Sequence, residues 1–340
     1  MDKRVIFAVA GSGKTTLIID QLNQTTRSLI ITFTNNNLNN LRLGIIRKFG
    51  CFPKNILLLS YFSFLYSFCF KPFLLMKYRT KGINYQPNLN RYAKDDARFI
   101  DRNRRLYSNR IAKLIDNNNI NNEINNRISK YFDNLYIDEV QDFAGHDFNL
   151  LVSMIAADLN ILLVGDFFQH TFDTSRDGNV NTSLHDDFNS YVKRFQQTGI
   201  LVDLKTLNKS FRCSPTVCKF ISESLGISIE SHRTDDTNIQ FIEDQEKATG
   251  VFRNRRIVKL FYQEHYKYDC FSRNWGDSKG EDKYKSVCVV LNKNTNSLFH
   301  QGRLNELPPQ TKNKFYVACS RARNSLYLLP EELLVTFKSP

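Results

Sequence analysis

The chain has 340 residues, 41% of them hydrophobic and 24% charged, enough to bury one large core or two medium ones, and length favours two domains. Lys and Arg outnumber Asp and Glu by 47 to 34, a formal charge of +13 that favours a polyanionic partner through counterion release. Seven scattered cysteines without a CxxC pair argue against a disulfide framework or a zinc knuckle, and no stretch approaches the roughly 18 uninterrupted apolar residues of a membrane span, so a soluble, cytoplasmic protein is expected.

The opening MDKRVIFAVAGSGKTT is not a signal peptide, because its short apolar run goes straight into a glycine loop. Residues 5–9 read as a strand, 11–14 as a turn and 15–22 as a helix, the layout that a phosphate-binding loop requires. A second β-rich run covers 28–33, a helical pattern continues to about Phe49, and a third run follows at 56–59. The segment 61–76 is the most aromatic of the chain. Further short apolar runs at 135–137, 161–164, 287–291 and 326–328 alternate with helical patterns, which predicts an α/β protein with parallel sheets covered on both faces. Residues 77–130 are rich in Arg, Lys, Asn and Asp, with a basic helix-like stretch over 98–113. They read as a mostly helical insertion, about 65–130, in a first domain spanning 1–204, with the second domain at 205–340. Within the second, 230–247 is polar and loop-like.

The loop Ala8-Val-Ala-Gly-Ser-Gly-Lys-Thr15 follows the Walker A pattern with Ala8 in place of its first Gly. Glycines let backbone N–H groups wrap phosphates at a helix N-terminus. Ala10, Gly11, Ser12, Gly13, Lys14, Thr15 and Thr16 are therefore the expected ATP-binding residues. Lys14 reaches the β- and γ-phosphates, and the Thr15 hydroxyl binds Mg2+. An apolar strand ends in Asp138-Glu139, which would supply a carboxylate for Mg2+ and a second one to polarise the attacking water.

With AxAGSGKT upstream, DEVQD at 138–142 resembles the UvrD/Rep branch of superfamily 1 helicases. The other motifs of that branch follow in order: ITFTN at 31–35, SYFS at 60–63, VGDFFQ at 164–169, LNKSFRCS at 207–214, SKGED at 278–282 and YVACSRA at 316–322. The resemblance runs from residue 4 to about 328. It implies two RecA-like P-loop NTPase lobes hydrolysing ATP at their interface. It also implies 3′-to-5′ movement along single-stranded nucleic acid, with DNA favoured over RNA. By the same resemblance Gln169 senses the γ-phosphate, Arg212 and Arg321 act as arginine fingers, Phe211 stacks on adenine and Asp282 lies in the ATP site. Phe33, Asn35, Tyr61, Phe62, Phe172 and Lys279 are the implied nucleic-acid residues, although core packing competes for Phe62 and for nearby Phe64.

Three departures from the branch matter. Few residues precede the loop, which leaves no room for the upstream Gln segment that reads adenine in relatives. Thr174 stands after Phe172 where a second aromatic is expected. About 65 residues separate the LNKSFRCS and SKGED motifs, too few for the large accessory domain of full-size relatives. A compact motor that relies on a partner for strand separation is the leading expectation. The alternative is a regulatory or sensor ATPase subunit of a nuclease or antiphage defence complex of the Gabija type, in which nucleotide or DNA ends gate a partner. A P-loop kinase or GTP switch is a third, weaker reading.

Overall fold

The structure is a computed structural model that describes residues 1–90, 92–171 and 178–339. It divides into two compact units. The first comprises Met1–Ile6, Thr15–Gly165 and Phe172–Asp203; the second comprises Phe7–Lys14, Asp166–Thr171 and Leu204–Pro340. The expected boundary near 204 does not anticipate that the phosphate loop and the 166–171 segment group with the C-terminal unit.

Strands of the N-terminal unit are β1 (Lys3–Phe7), β2 (Ser28–Thr32), β3 (Ile56–Ser60), β4 (Gly82–Asn84), β5 (Arg105–Tyr107), β6 (Asn134–Ile137), β7 (Asn160–Gly165) and β8 (Leu201–Asp203). Six form one sheet in the order β3-β2-β6-β7-β1-β8. Its β2–β3, β2–β6, β6–β7 and β1–β8 pairs are parallel. All five residues of β2 are buried, as expected for a strand covered on both faces. The helix Asn35–Phe49 after β2 starts on the Thr34 side chain, which accepts from the Asn37 N–H, and stops at Gly50 with φ +77°. The aromatic segment is helical from Tyr61 to Tyr78, with a π-helical stretch over Phe64–Phe70. There Phe64 stacks on Phe68 at 5.5 Å and Tyr66 on Phe70 at 5.9 Å. The basic stretch 98–113 is not one helix: it is broken by the β4–β5 pair, and the helix Ile111–Asn117 begins only after it. The Asn-rich residues 117–126, which read as a loop or as biased composition, are in part helical, within Asn121–Tyr131, because Ile124 and Ile128 bury one face.

The C-terminal unit contains β9 (Lys209–Ser210), β10 (Glu230–Ser231), β11 (Ile239–Phe241), β12 (Ile257–Phe261), β13 (Ser272–Asn274), β14 (Ser286–Leu291) and β15 (Leu326–Pro330). Five of them form the parallel sheet β11-β15-β14-β12-β13. Alternate residues feed two cores: Val258, Leu260, Val287 and Val289 on one face, Ile257, Phe261, Cys288 and Val290 on the other. The polar reading of 230–247 misses β10, β11 and the start of the helix Gln245–Arg253.

Lys259 interrupts the apolar pattern of β12 and is fully buried, its ammonium donating to the Asn254 carbonyl at 2.7 Å. Burial lowers its pKa. A lysine depressed below its unfolded value costs folding free energy at low and neutral pH, and the cost fades as pH rises through the folded pKa towards the unfolded one. Lys259→Met is therefore expected to stabilise the unit by on the order of 1 kcal/mol near pH 7. Thermal melts at pH 7 and above pH 10 check this, since the gain should shrink in the alkaline melt.

Candidate nucleotide site and nucleic-acid surface

In the N-terminal unit β6 delivers Asp138 at its carboxyl end, 1% exposed. The Thr15 hydroxyl donates to Asp138 Oδ2 at 3.4 Å, and Oδ1 accepts the Glu139 N–H at 3.0 Å. Glu139 follows in the left-handed region, φ +59°. For a residue with a Cβ this costs roughly 1–3 kcal/mol, and such strain concentrates at functional turns. The turn aims the carboxylate at two amides: Asn37 Nδ2 donates to Oε1 at 3.3 Å, and Gln141 Nε2 donates to Oε2. Asn37 was missed in the sequence, where it is one of several consecutive asparagines. Only its place two residues beyond ITFTN could have marked it. Gly165, at the end of β7, has no room for a side chain, because a Cβ would lie 2.3 Å from Gln141 Oε1 and 2.9 Å from the Val140 nitrogen.

In the C-terminal unit the phosphate loop turns through Gly11 at φ +72° and Gly13 at φ +89°. A Cβ on Gly11 would fall 2.6 Å from the Arg212 Cβ, and the Phe211 N–H donates to the Gly11 carbonyl at 2.9 Å. The loop and the LNKSFRCS segment thus pack backbone against backbone. Ser12 is 2% exposed, and its hydroxyl has no hydrogen-bond partner among the described residues. Ala10 is fully buried, and its N–H donates to the Tyr316 hydroxyl at 2.8 Å. The Ala10 amide, expected among the ATP-binding groups, is thus engaged by Tyr316 within the unit. Lys14 and Thr15 are half-buried at the start of the helix Lys14–Gln21, and Thr16 is exposed.

Arg212 and Arg321 meet on one carboxylate. Arg212 Nη2 pairs with Asp282 Oδ1, and Arg321 Nη1 reaches the same oxygen at 3.4 Å. Both arginines also hold backbone carbonyls, Arg212 that of Ser320 at 3.4 Å and Arg321 that of Val317 at 3.2 Å. Arg321 is 2% exposed. Burial first, and the neighbouring Arg212 second, lower its guanidinium to about 10, which leaves it charged at neutral pH. Asp282 thus meets both arginines, a contact that the sequence did not specify. Phe211 is 60% exposed and stacks face to face on His232, 4.0 Å between centroids with 12° between planes. No motif had marked His232. Gln169 is buried, and its Nε2 donates to Asp166 Oδ2 at 2.9 Å.

The expected nucleic-acid residues of the N-terminal unit form a row of rings. Phe33 and Phe62 are half-buried, 5.5 Å apart and edge-on, while Asn35 is exposed. Tyr61 requires a correction: it is fully buried, its hydroxyl donates to Asp147 Oδ1 at 2.8 Å, and its ring packs on Phe143 at 4.6 Å. It supports the row from the core and offers no face to a base. The insertion adds Tyr85, 64% exposed and 5.4 Å from Phe62, a ring outside every motif. Lys279, in the C-terminal unit, is half-buried. Phe172 lies outside the described residues.

A glycine phosphate loop, a strand-end Asp-Glu pair and two buried arginines on parallel α/β units define an enzyme of the P-loop NTPase class. The chain belongs to the viral superfamily 1 RNA helicase core domain family, whose profile matches residues 89–329. Its fold is similar to that of arterivirus nonstructural protein 10 (helicase) solved in complex with DNA, at 13% identity and a TM-score of 0.51, covering 98% of this chain and 62% of that one. It is likewise similar to the crystal structure of arterivirus nonstructural protein 10 (helicase), at 12% identity and a TM-score of 0.50, covering 99% and 62%. The chain thus spans about three-fifths of the length of the solved helicases it matches. A comparison with curated proteins found no match. No helix among the described residues is long and apolar enough to cross a membrane.

Proposed function

We propose that the chain is an ATP-dependent translocase or helicase acting on single-stranded nucleic acid. The observation that carries this reading is the buried pair Arg212 and Arg321, two positive charges that share one carboxylate, that of Asp282, among the described residues, with the Arg212 backbone against Gly11 of the phosphate loop. Buried like charges with one counter-ion are costly unless a further anion joins them. A γ-phosphate is that anion, and its transfer is where guanidinium groups have the largest effect.

The residues present fit ATP and Mg2+. The Thr15 hydroxyl and Asp138 carboxylate already meet, two oxygen donors of the kind that hold Mg2+ together with water. The partnerless Ser12 hydroxyl and the two left-handed glycines suit a phosphate cradle. Bound Mg2+ would neutralise charge on the β- and γ-oxygens. Lys14 would hold those phosphates, Glu139 would orient and deprotonate the attacking water, and Gln169 would follow the γ-phosphate. Phe211, backed by His232, would stack on the base, a contact that reads a π-face and not an edge.

Phe33, Phe62 and Tyr85 suit a single strand because unpaired bases stack on rings without regard to sequence. Segment 77–107 supplies charge for the backbone, with nine Lys or Arg against three Asp or Glu, a net +6. The motif spellings favour the UvrD/Rep branch and hence DNA. The matched family is described for RNA helicases, so both polymers belong in the test.

ATP turnover should rise strongly when single-stranded DNA or RNA is added. Phe62→Ala and Tyr85→Ala should each weaken binding of that strand by about 1–3 kcal/mol, with affinity falling as salt rises. Turnover indifferent to either polymer but altered by a nuclease or other partner protein would favour the regulatory, antiphage-defence reading.

A further inference from the structure

The helix Pro309–Cys319 lies along the 166–171 segment within the C-terminal unit, where Asn313 Nδ2 donates to the His170 carbonyl at 3.1 Å. At its centre Tyr316 is fully buried, and its hydroxyl is shared by two motifs. It accepts the Ala10 N–H of the phosphate loop at 2.8 Å and donates to Asp166 Oδ2 at 3.0 Å. The same Asp166 oxygen accepts from Gln169 Nε2 at 2.9 Å. These bonds form a chain from the phosphate-loop backbone through Tyr316 and Asp166 to Gln169. We propose that Tyr316 is a positioning residue that ties the aim of Gln169 to the position of the phosphate loop. The inference rests on the proposed NTPase reading, in which Gln169 follows the γ-phosphate.

Burial and the nearby Asp166 charge push the Tyr316 hydroxyl well above its usual pKa, so it keeps its proton. Its one hydrogen is committed to the carboxylate, and its oxygen is left to accept. The direction of each bond is therefore fixed, with Ala10 donating to Tyr316 and Tyr316 donating to Asp166. Gln169 can turn its amide only by giving up its bond to Asp166, and Asp166 is itself held by Tyr316. A shift of the loop as triphosphate is bound or lost pulls on the Ala10 N–H and is passed along this chain. A ring without the hydroxyl fills the same volume but cuts the chain at its middle.

The test is Tyr316→Phe in the full chain, read by steady-state ATP turnover with and without single-stranded DNA, alongside Gln169→Ala and the double variant. The single change should lower kcat roughly ten- to a hundred-fold with KM for ATP little altered. The double variant should fall no further than Gln169→Ala, since residues acting as one unit are not additive. Independent, multiplicative losses would overturn the proposal, as would a Tyr316→Phe enzyme with normal kcat. If Tyr316→Phe does not fold, the same cycle is run with Asp166→Ala, which removes the acceptor of both donors; additivity there overturns the proposal equally. Wild-type chain without ATP turnover would instead sink the underlying NTPase reading.

Discussion

Glu139→Gln should cut ATP turnover by on the order of 10²–10⁴-fold, the range lost when a positioned general base is removed. Binding of ATP should persist, because Glu139 lies one residue beyond the Asp138 carboxylate that meets Thr15. The substitution is nearly isosteric and its surroundings tolerate it. An amide at position 139 can still accept from Asn37 Nδ2 through its oxygen, whereas its NH2 group would face the donating NH2 of Gln141. The Gln141 amide must turn over to avoid that clash, so a modest fall in melting temperature is expected beside the kinetic loss. Equilibrium binding of a fluorescent ATP analogue and steady-state turnover separate the two effects. Near-normal turnover in Glu139→Gln would remove the catalytic assignment. Asn37→Ala gives a graded control, since it removes one bond to the carboxylate without removing the base.

Much of this arrangement was legible in the sequence, and the reasons differ from one element to another. β2, β6 and β14 were visible because buried parallel strands are continuous apolar runs. β12 was not, since Lys259 breaks its run and becomes buried only by reaching the Asn254 carbonyl. The phosphate loop and the Asp-Glu pair could be read because their chemistry needs adjacent residues. Asn37 and His232 could not, because each works through a partner far away in the chain, Glu139 and Phe211 respectively; Tyr316 could be read as the start of YVACSRA, but its bond to distant Ala10 could not. Tyr61 shows the reverse error. Its aromatic character fits a stacking surface as well as a core, and only the fold places its hydroxyl on Asp147 inside the protein. Composition suggested a basic helical face over 98–113, yet the tight Arg104 turn, φ +61°, and the β4–β5 pair intervene.

Arg321→Ala tests the charge argument most severely, and the expected loss in kcat is on the order of 10³–10⁵-fold, the range set by removing an arginine finger from phosphoryl transfer. Folding should suffer much less than its 2% exposure suggests. Truncating one member of a buried pair normally strands the partner charge and is strongly destabilising. Here Asp282 keeps Arg212, so a one-to-one pair remains and no carboxylate is orphaned. The change also relieves the repulsion between the two guanidiniums that helps lower Arg321 to about 10. What is lost is a bond to the Val317 carbonyl and packing volume, not a solitary counter-ion. Arg321→Lys sharpens the comparison: it restores the charge but cannot hold Asp282 and the Val317 carbonyl together with one planar fork. Turnover in Arg321→Lys should therefore stay far below wild type while its melting temperature recovers. If lysine instead restores turnover, the group acts as a point charge, and the two-arginine geometry on Asp282 is not what drives catalysis.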